Sequence, residues 1–206
     1  MPIITISRQY GSGGSEVAER TAKALGWELL DNEVVDAVAA RLGLSIEEVK
    51  AREERAPSLV ERLSSALAMG SQEWVNPATA KRPTDEEMLE VTKHVVEEAI
   101  SRGPVVIVGR GAQSMLSARE DALHVFCYAP KKALIKRCME RDKLGPEDAE
   151  RMVDGTNKRR REWVKLHFNR EWPAHEDYHL TLNTGWLGID GAAQLIVQAA
   201  KMRLGA

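Results

Sequence analysis

Cysteine, aromatic rings and long apolar runs are all scarce in this chain. Two cysteines in 206 residues, Cys127 in an apolar run and Cys138 in a helical one, cannot build a disulfide framework and are expected as buried thiols. No stretch approaches the roughly 18 apolar residues that a membrane span requires. The opening Met1-Pro2-Ile3-Ile4-Thr5 lacks the basic start and apolar stretch of a signal peptide, so a cytoplasmic chain without a membrane partner is expected. A net charge of -2 gives no general reason for binding nucleic acid, and any polyanion site must be local. His175 and His179 stand four apart, but no third ligand has convincing spacing, so no histidine-based metal site is expected. Internal repeats and low-complexity tracts are absent as well, which leaves one ordinary globular domain over residues 1–206.

What the chain does have is a glycine-rich turn at its start. In Ile3-Ile4-Thr5-Ile6-Ser7-Arg8-Gln9-Tyr10-Gly11-Ser12-Gly13-Gly14-Ser15 a β-branched run passes through small residues into a helical pattern. Backbone N–H groups of such a turn can curl around an anion while the helix N-terminus adds positive dipole. Against the phosphate-loop spacing G-x-x-x-x-G-K-[ST], Gly13 and Ser15 match, Arg8 stands at the first glycine and Gly14 at the lysine. The loop therefore lacks its usual cation. A tight turn with no ligand fits the same residues. Arg8 either supplies the charge that Gly14 cannot, or is held by a nearby carboxylate.

Five apolar runs alternate with helical patterns: Ile3–Ser7, Trp27–Asp31, Pro104–Gly109, Leu123–Ala129 and Tyr178–Asn183. That alternation requires crossover connections and predicts an α/β fold with a parallel sheet buried on both faces. Capping boxes at Ser45-Ile46-Glu47-Glu48 and Thr84-Asp85-Glu86-Glu87 each predict a helix start. The second helix carries Met88, Val91, Val95, Val96 and Ala99 on one side and stops at Gly103-Pro104, just before a strand. Residues 42–83 are too long for a connector and predict a helical insertion after the second strand.

Candidate chemistry falls where strands end. Asp31 closes the second run, where the crevice of an open parallel sheet lies, although an aspartate there also suits a helix cap. Arg110 sits between Gly109 and Gly111 after the third run, where glycines admit a ligand and a guanidinium fork suits phosphate. A helix from Lys131 to Lys143 bears Lys136, Arg137 and Arg141, and a further helical segment bears Asn157-Lys158-Arg159-Arg160-Arg161. Such runs usually face solvent, yet a mobile basic helix also suits phosphoryl transfer. Trp163, Phe168, Trp172 and Tyr178 are expected to pack this segment onto the core.

Taken together, the opening run, Ala24-Leu25-Gly26-Trp27-Glu28-Leu29-Leu30-Asp31, Val108-Gly109-Arg110-Gly111, the Asn157–Arg161 segment and Leu180-Thr181-Leu182-Asn183-Thr184 resemble the nucleoside monophosphate kinases, most closely the cytidylate kinase-like family. The resemblance implies a P-loop kinase fold: a five-stranded parallel sheet flanked by helices, with a helical nucleotide-binding insertion and a lid over 145–172. It implies ATP and Mg2+ as the phosphoryl donor, small nucleotide substrates, and transfer to a nucleoside monophosphate, CMP or dCMP first. By it, Gly11, Ser12, Gly13, Gly14 and Ser15 would cradle the donor phosphates, and Ser15 would help hold the metal. Asp31, Arg110 and Arg159 would bind substrate, with Arg110 on the acceptor phosphate. Arg8, Arg110 and Arg160 would steady the transferred group. Compared with the better-known cytidylate kinases, Gly14 replaces the loop lysine, Val108 an aspartate often found before Gly-Arg, and Gly111 the aspartate that follows. Another small acceptor, or a catalytically inactive nucleotide-binding module, are the alternatives; a nucleic-acid-binding role for Lys158–Arg161 is weaker, because the run is short.

Overall fold

The computed structural model describes residues 1–31, 85–109 and 111–206. Asn32, the expected insertion at 42–83, both hydroxyl caps (Ser45 and Thr84) and Arg110 lie outside the described residues. In chain order the elements are β1 (Ile3–Arg8), α1 (Gly14–Leu25), β2 (Glu28–Asp31), α2 (Asp85–Arg102), β3 (Val105–Val108), α3 (Ala112–Met115), β4 (Ala122–Tyr128), α4 (Lys131–Asp142), α5 (Pro146–Phe168), a short 3-10 turn (His175–Asp177), β5 (Leu180–Asn183) and α6 (Thr184–Leu204). Each expected apolar run holds a strand, shifted by a residue or two at its ends. The strands form one parallel sheet in the order β2-β3-β1-β4-β5.

β1 is central, and every one of its six residues is buried, Thr5, Ser7 and Arg8 included, as expected of a strand covered on both faces. Its alternation sorts the core. Ile3 joins Leu30, Val105 and Ile107 beneath Val95, Val96 and Ala99 of α2. Ile4 and Ile6 join Val106, Val108 and Val125 on the opposite face, covered by Val17 and Ala18 of α1 and by Ala192, Ala193 and Ile196 of α6. The expected apolar side of α2 is thus seen at Val95, Val96 and Ala99. A third cluster joins Ala129 with Leu134 and Cys138 of α4 and Ala149 and Val153 of α5. The aromatic expectation also holds: Trp172 meets Phe126 edge-on at 5.6 Å, and Tyr178 lies 5.1 Å from Phe126. Both cysteines are buried free thiols. Burial pushes the Cys127 thiol up to about 12, against a smaller opposing pull from Arg8.

Parity explains where the functional end of the sheet points. Ile6 pairs with Val108, and Val108 pairs with Asp31, so these three share a face. Arg8, two residues beyond Ile6, shares it as well. Its side chain crosses the end of β3 and reaches Asp31 at 3.6 Å.

At the other end of the sheet a polar pair is buried. His124 of β4 is 3% exposed, its Nδ1 lies 2.7 Å from Thr5 Oγ1, and its ring stacks on His179 at 5.1 Å. Burial first, and then the charge of His179, lower its pKa from 6.5 to about 4. The folded state therefore binds fewer protons than the unfolded chain between those values. The stability from a neutral His124 is present above pH 6.5 and is lost as pH falls toward 4, by up to ~3 kcal/mol. Urea unfolding across that window should show the loss in the wild type and a flatter profile in His124→Gln. Parallel profiles would remove His124 as the cause.

Candidate active site

The chain leaves β1 at Arg8 and enters α1 at Gly14. Between them Gly11 and Gly13 take left-handed conformations, with φ of 79° and 76°, which glycine adopts without steric cost. At Gly11 space demands glycine too, since a Cβ would stand 2.7 Å from the Leu134 carbonyl oxygen; at Gly13 a Cβ would meet the ends of the Ile189 and Arg137 side chains. The turn ends with Gly13 as the left-handed N-cap of α1, and no side chain caps that helix. Its first N–H groups are left for a ligand or water, which suits an anion.

Side chains from distant elements hold this turn. Gln9 N–H donates to Cys127 O at 2.9 Å, and Gln9 Oε1 accepts from Ala129 N–H at 3.2 Å. Tyr10 N–H donates to Asn157 Oδ1 of α5 at 2.8 Å. Arg137 of α4 donates to Gly11 O at 3.3 Å. Thr184, at the start of α6, donates its buried hydroxyl to Ser12 O at 2.6 Å and to Tyr128 O at 3.0 Å. Ser12 is fully buried and its hydroxyl folds back to Gln9 O at 2.8 Å. Ser15 is exposed in the first turn of α1.

The expected charged residues divide sharply. Arg8 is 4% exposed, packed at the mouth of the turn and paired with Asp31, the last residue of β2. Both readings of Arg8 meet in one place, because the carboxylate that holds it is the candidate site carboxylate. Arg160 is 5% exposed and donates to the Arg8 carbonyl at 2.8 Å, with its guanidinium 5.9 Å from the centre of the Tyr10 ring. Arg159 points elsewhere, to Thr156 Oγ1 at 2.9 Å, and is exposed. Lys158 lies 3.8 Å from Glu162, and Arg161 donates to the Trp172 carbonyl at 3.3 Å. Of the basic run, Arg160 is the member that bonds to the strand end from which the turn leaves. Arg110 lies outside the described residues, but its neighbour Gly111 packs under Trp163, whose ring carbon would be 2.7 Å from an added Cβ.

Sequence reasoning passed over Gln9, Thr184 and the specific uses of Asn157 and Arg137. It also passed over Tyr10, whose hydroxyl donates to Asp142 Oδ2 at 3.0 Å while the Arg141 guanidinium lies 4.7 Å from its ring centre. Arg141 beside Asp142 holds that carboxyl well below the usual range, and burial followed by the Asp142 contact raises the Tyr10 phenol. No local signal announces these partners, since each lies more than a hundred residues from the loop atom it serves. Among the described residues no cluster of three acidic, histidine or cysteine side chains is arranged to hold a metal.

A glycine turn from strand to helix, at the carboxyl end of a five-stranded parallel sheet, defines the P-loop kinase fold. The chain belongs to the cytidylate kinase-like family, whose model matches residues 3–185. No curated protein matches it. Among solved structures it resembles an uncharacterized protein from Eubacterium ventriosum, at 21% identity and TM-score 0.71 over 98% of this chain and 100% of that one. It also resembles the shikimate kinase of Acinetobacter baumannii in complex with shikimate, at 20% identity and TM-score 0.52 over 98% and 94%. At such identities the likeness is one of fold. Family and fold together support a nucleotide-dependent phosphotransferase.

The Asn157 bond makes a direct prediction. Asn157→Ala removes the acceptor of the Tyr10 N–H and should cost about 1 kcal/mol, with faster hydrogen exchange at the Tyr10 amide. Unchanged exchange there would mean the bond does not hold the loop.

Proposed function

We propose that this protein transfers the γ-phosphoryl group of MgATP to a nucleoside monophosphate, with CMP or dCMP as acceptor. The observation that carries the reading is the nest of positive-φ glycines at the start of α1, opening beside the buried Arg8 and its half-buried partner Asp31. The acceptor class rests on the family to which the chain belongs. In this reading Gly11, Ser12, Gly13, Gly14 and Ser15 cradle the donor phosphates and the Ser15 hydroxyl faces the metal that accompanies them. Arg110, which follows Gly109 at the third strand, grips the acceptor phosphate, and Asp31 faces the acceptor. An acceptor phosphate oxygen forms the new bond to the γ-phosphorus as the bond to the β–γ bridging oxygen breaks, and ADP leaves with that electron pair. No covalent intermediate forms on the protein. Catalysis is then a matter of alignment and charge neutralisation.

Arg8 supplies cationic charge to the phosphates. Arg160 steadies the strand end through the Arg8 carbonyl and the transferred group, and Arg159 joins it when the 145–172 segment closes as a lid. Closure of this kind excludes water and completes the cationic clamp. A second reading has its own support: Gly14 in place of the loop lysine, with Val108 and Gly111 in place of the flanking aspartates, fits a nucleotide-binding module without turnover.

Incubation with MgATP and a panel of nucleoside monophosphates and other small phosphate acceptors, read for ADP and product, separates these readings. CMP and dCMP should yield diphosphate fastest. If no acceptor yields product while ATP still raises the melting temperature, the binding module replaces the enzyme. Arg110→Ala should raise the acceptor's KM far more than that of ATP, with a loss of about 2–5 kcal/mol in acceptor binding. The reverse order would move Arg110 to the donor. Hydrogen exchange across Asn157–Arg161 should slow when a two-substrate analogue binds, and high protection that does not rise with ligand would sink the lid.

A further inference from the structure

Gly14 is a glycine that its own backbone does not require. Gly11 and Gly13 have positive φ, but Gly14 does not; it opens α1, where most residues are better helix formers than glycine. What excludes a side chain is Arg8. A Cβ at position 14 would stand 2.4 Å from Arg8 Cβ and 2.8 Å from Arg8 Cγ, while the next contact, Cys127 Cβ, lies at an ordinary 3.4 Å. Arg8 Cβ is fixed by the strand backbone, so no rotamer change relieves the overlap. The Arg8 stem thus fills the volume into which a residue-14 side chain would grow.

We infer that Arg8 and Gly14 form a single steric exchange, in which the loop's phosphate cation has moved from the first residue of the helix to the last residue of the strand. The inference rests on the phosphoryl-transfer reading and adds to it the reason for the missing lysine. In the G-x-x-x-x-G-K-[ST] pattern a glycine stands at the position of Arg8 and a lysine at that of Gly14, so the pattern never asks both positions to carry a side chain. Here the two residues have traded places in the order required by the overlap. Three features orient the relocated charge. The side chain is almost fully buried, its guanidinium is drawn toward Asp31 at the mouth of the crevice, and its carbonyl is held by Arg160. Asp31 acts as a positioning residue, since its carboxylate at the end of β2 draws the guanidinium fork toward the crevice.

Five variants test this. Arg8→Met keeps the stem and removes the charge, Arg8→Gly removes both, Gly14→Ala adds only the Cβ, and Arg8→Gly/Gly14→Ala adds the Cβ with the stem gone. Arg8→Gly/Gly14→Lys returns the cation to the helix. ATP and AMP binding by calorimetry reads the charge, because AMP lacks the β- and γ-phosphates, and thermal melting without ligand reads the overlap. Arg8→Met should bind ATP about tenfold more weakly or worse while AMP binding stays within about twofold, and the lysine exchange should recover most of the ATP loss. Gly14→Ala should melt well below the wild type, and adding Arg8→Gly should return most of the difference, a non-additive cycle. Should Arg8→Met fail to fold, Arg8→Lys serves in its place, with ATP preferred over AMP as in the wild type. ATP binding unchanged in Arg8→Met overturns the relocated cation, and additive melting shifts overturn the exchange. Either failure leaves the kinase reading standing as long as the wild type binds ATP and forms product. A wild type that binds no ATP removes both.

Discussion

The turn from Gln9 to Ser15 is held in shape by side chains that belong to other elements. Its backbone polar groups are bonded by Asn157 of α5, Arg137 of α4, Thr184 of α6 and the end of β4. A glycine turn has little packing of its own and loses more conformational freedom on ordering than other residues do. Four elements around the carboxyl end of the sheet therefore share the work of fixing one loop. The same dependence explains the buried polar residues nearby. Thr184 and Arg160 are buried because their partners are main-chain oxygens of the loop and strand end, and a buried donor without such a partner would be costly.

This arrangement changes the meaning of the basic residues on α4 and α5. Read along the sequence, Lys158 to Arg161 looks like one cationic patch. On a helix, successive side chains project about 100° apart, and the four diverge: to Glu162, Thr156, the Arg8 carbonyl and the Trp172 carbonyl. The patch is a set of separate attachments. Arg137 likewise serves a loop carbonyl rather than solvent. At its far end α5 packs Val164 with Phe126 and Trp172, and at its near end Ala149 and Val153 with α4.

The fold was legible because its signals are periodic and local. A buried β1 rich in isoleucine, strand runs separated by helical patterns and a glycine turn at one strand end fit burial on both faces of a parallel sheet, whatever the tertiary detail. Asp31 and Arg8 were legible as candidates for the same reason, since strand ends mark the crevice. Their pairing was not. It depends on β3 lying between β1 and β2 and on Val108 being level with both Ile6 and Asp31, a strand order that periodicity does not encode. Gln9, Asn157 and Thr184 stayed hidden on similar grounds. An amide or hydroxyl in a helix or turn reads as surface or cap until the fold brings a distant carbonyl to it.

The unusual loop also shows why a motif is better read as a volume than as a string. Gly14 departs from the phosphate-loop spacing when each position is scored alone, and so does Arg8. Considered as neighbours in space, the two departures are complementary: one side chain is absent where the other's stem lies. The sheet makes such a trade available. The last residue of β1 and the first of α1 are joined by a turn tight enough to bring their Cβ positions into contact, and β1 parity sends residue 8 to the face covered by α1. A cation anchored on a central strand starts from the most rigid part of the molecule. A lysine on the helix would start from a turn that depends on four neighbours for its shape. Arg8 therefore offers a charge whose position is set by the sheet itself, and Asp31, on the same face two strands away, sets its direction.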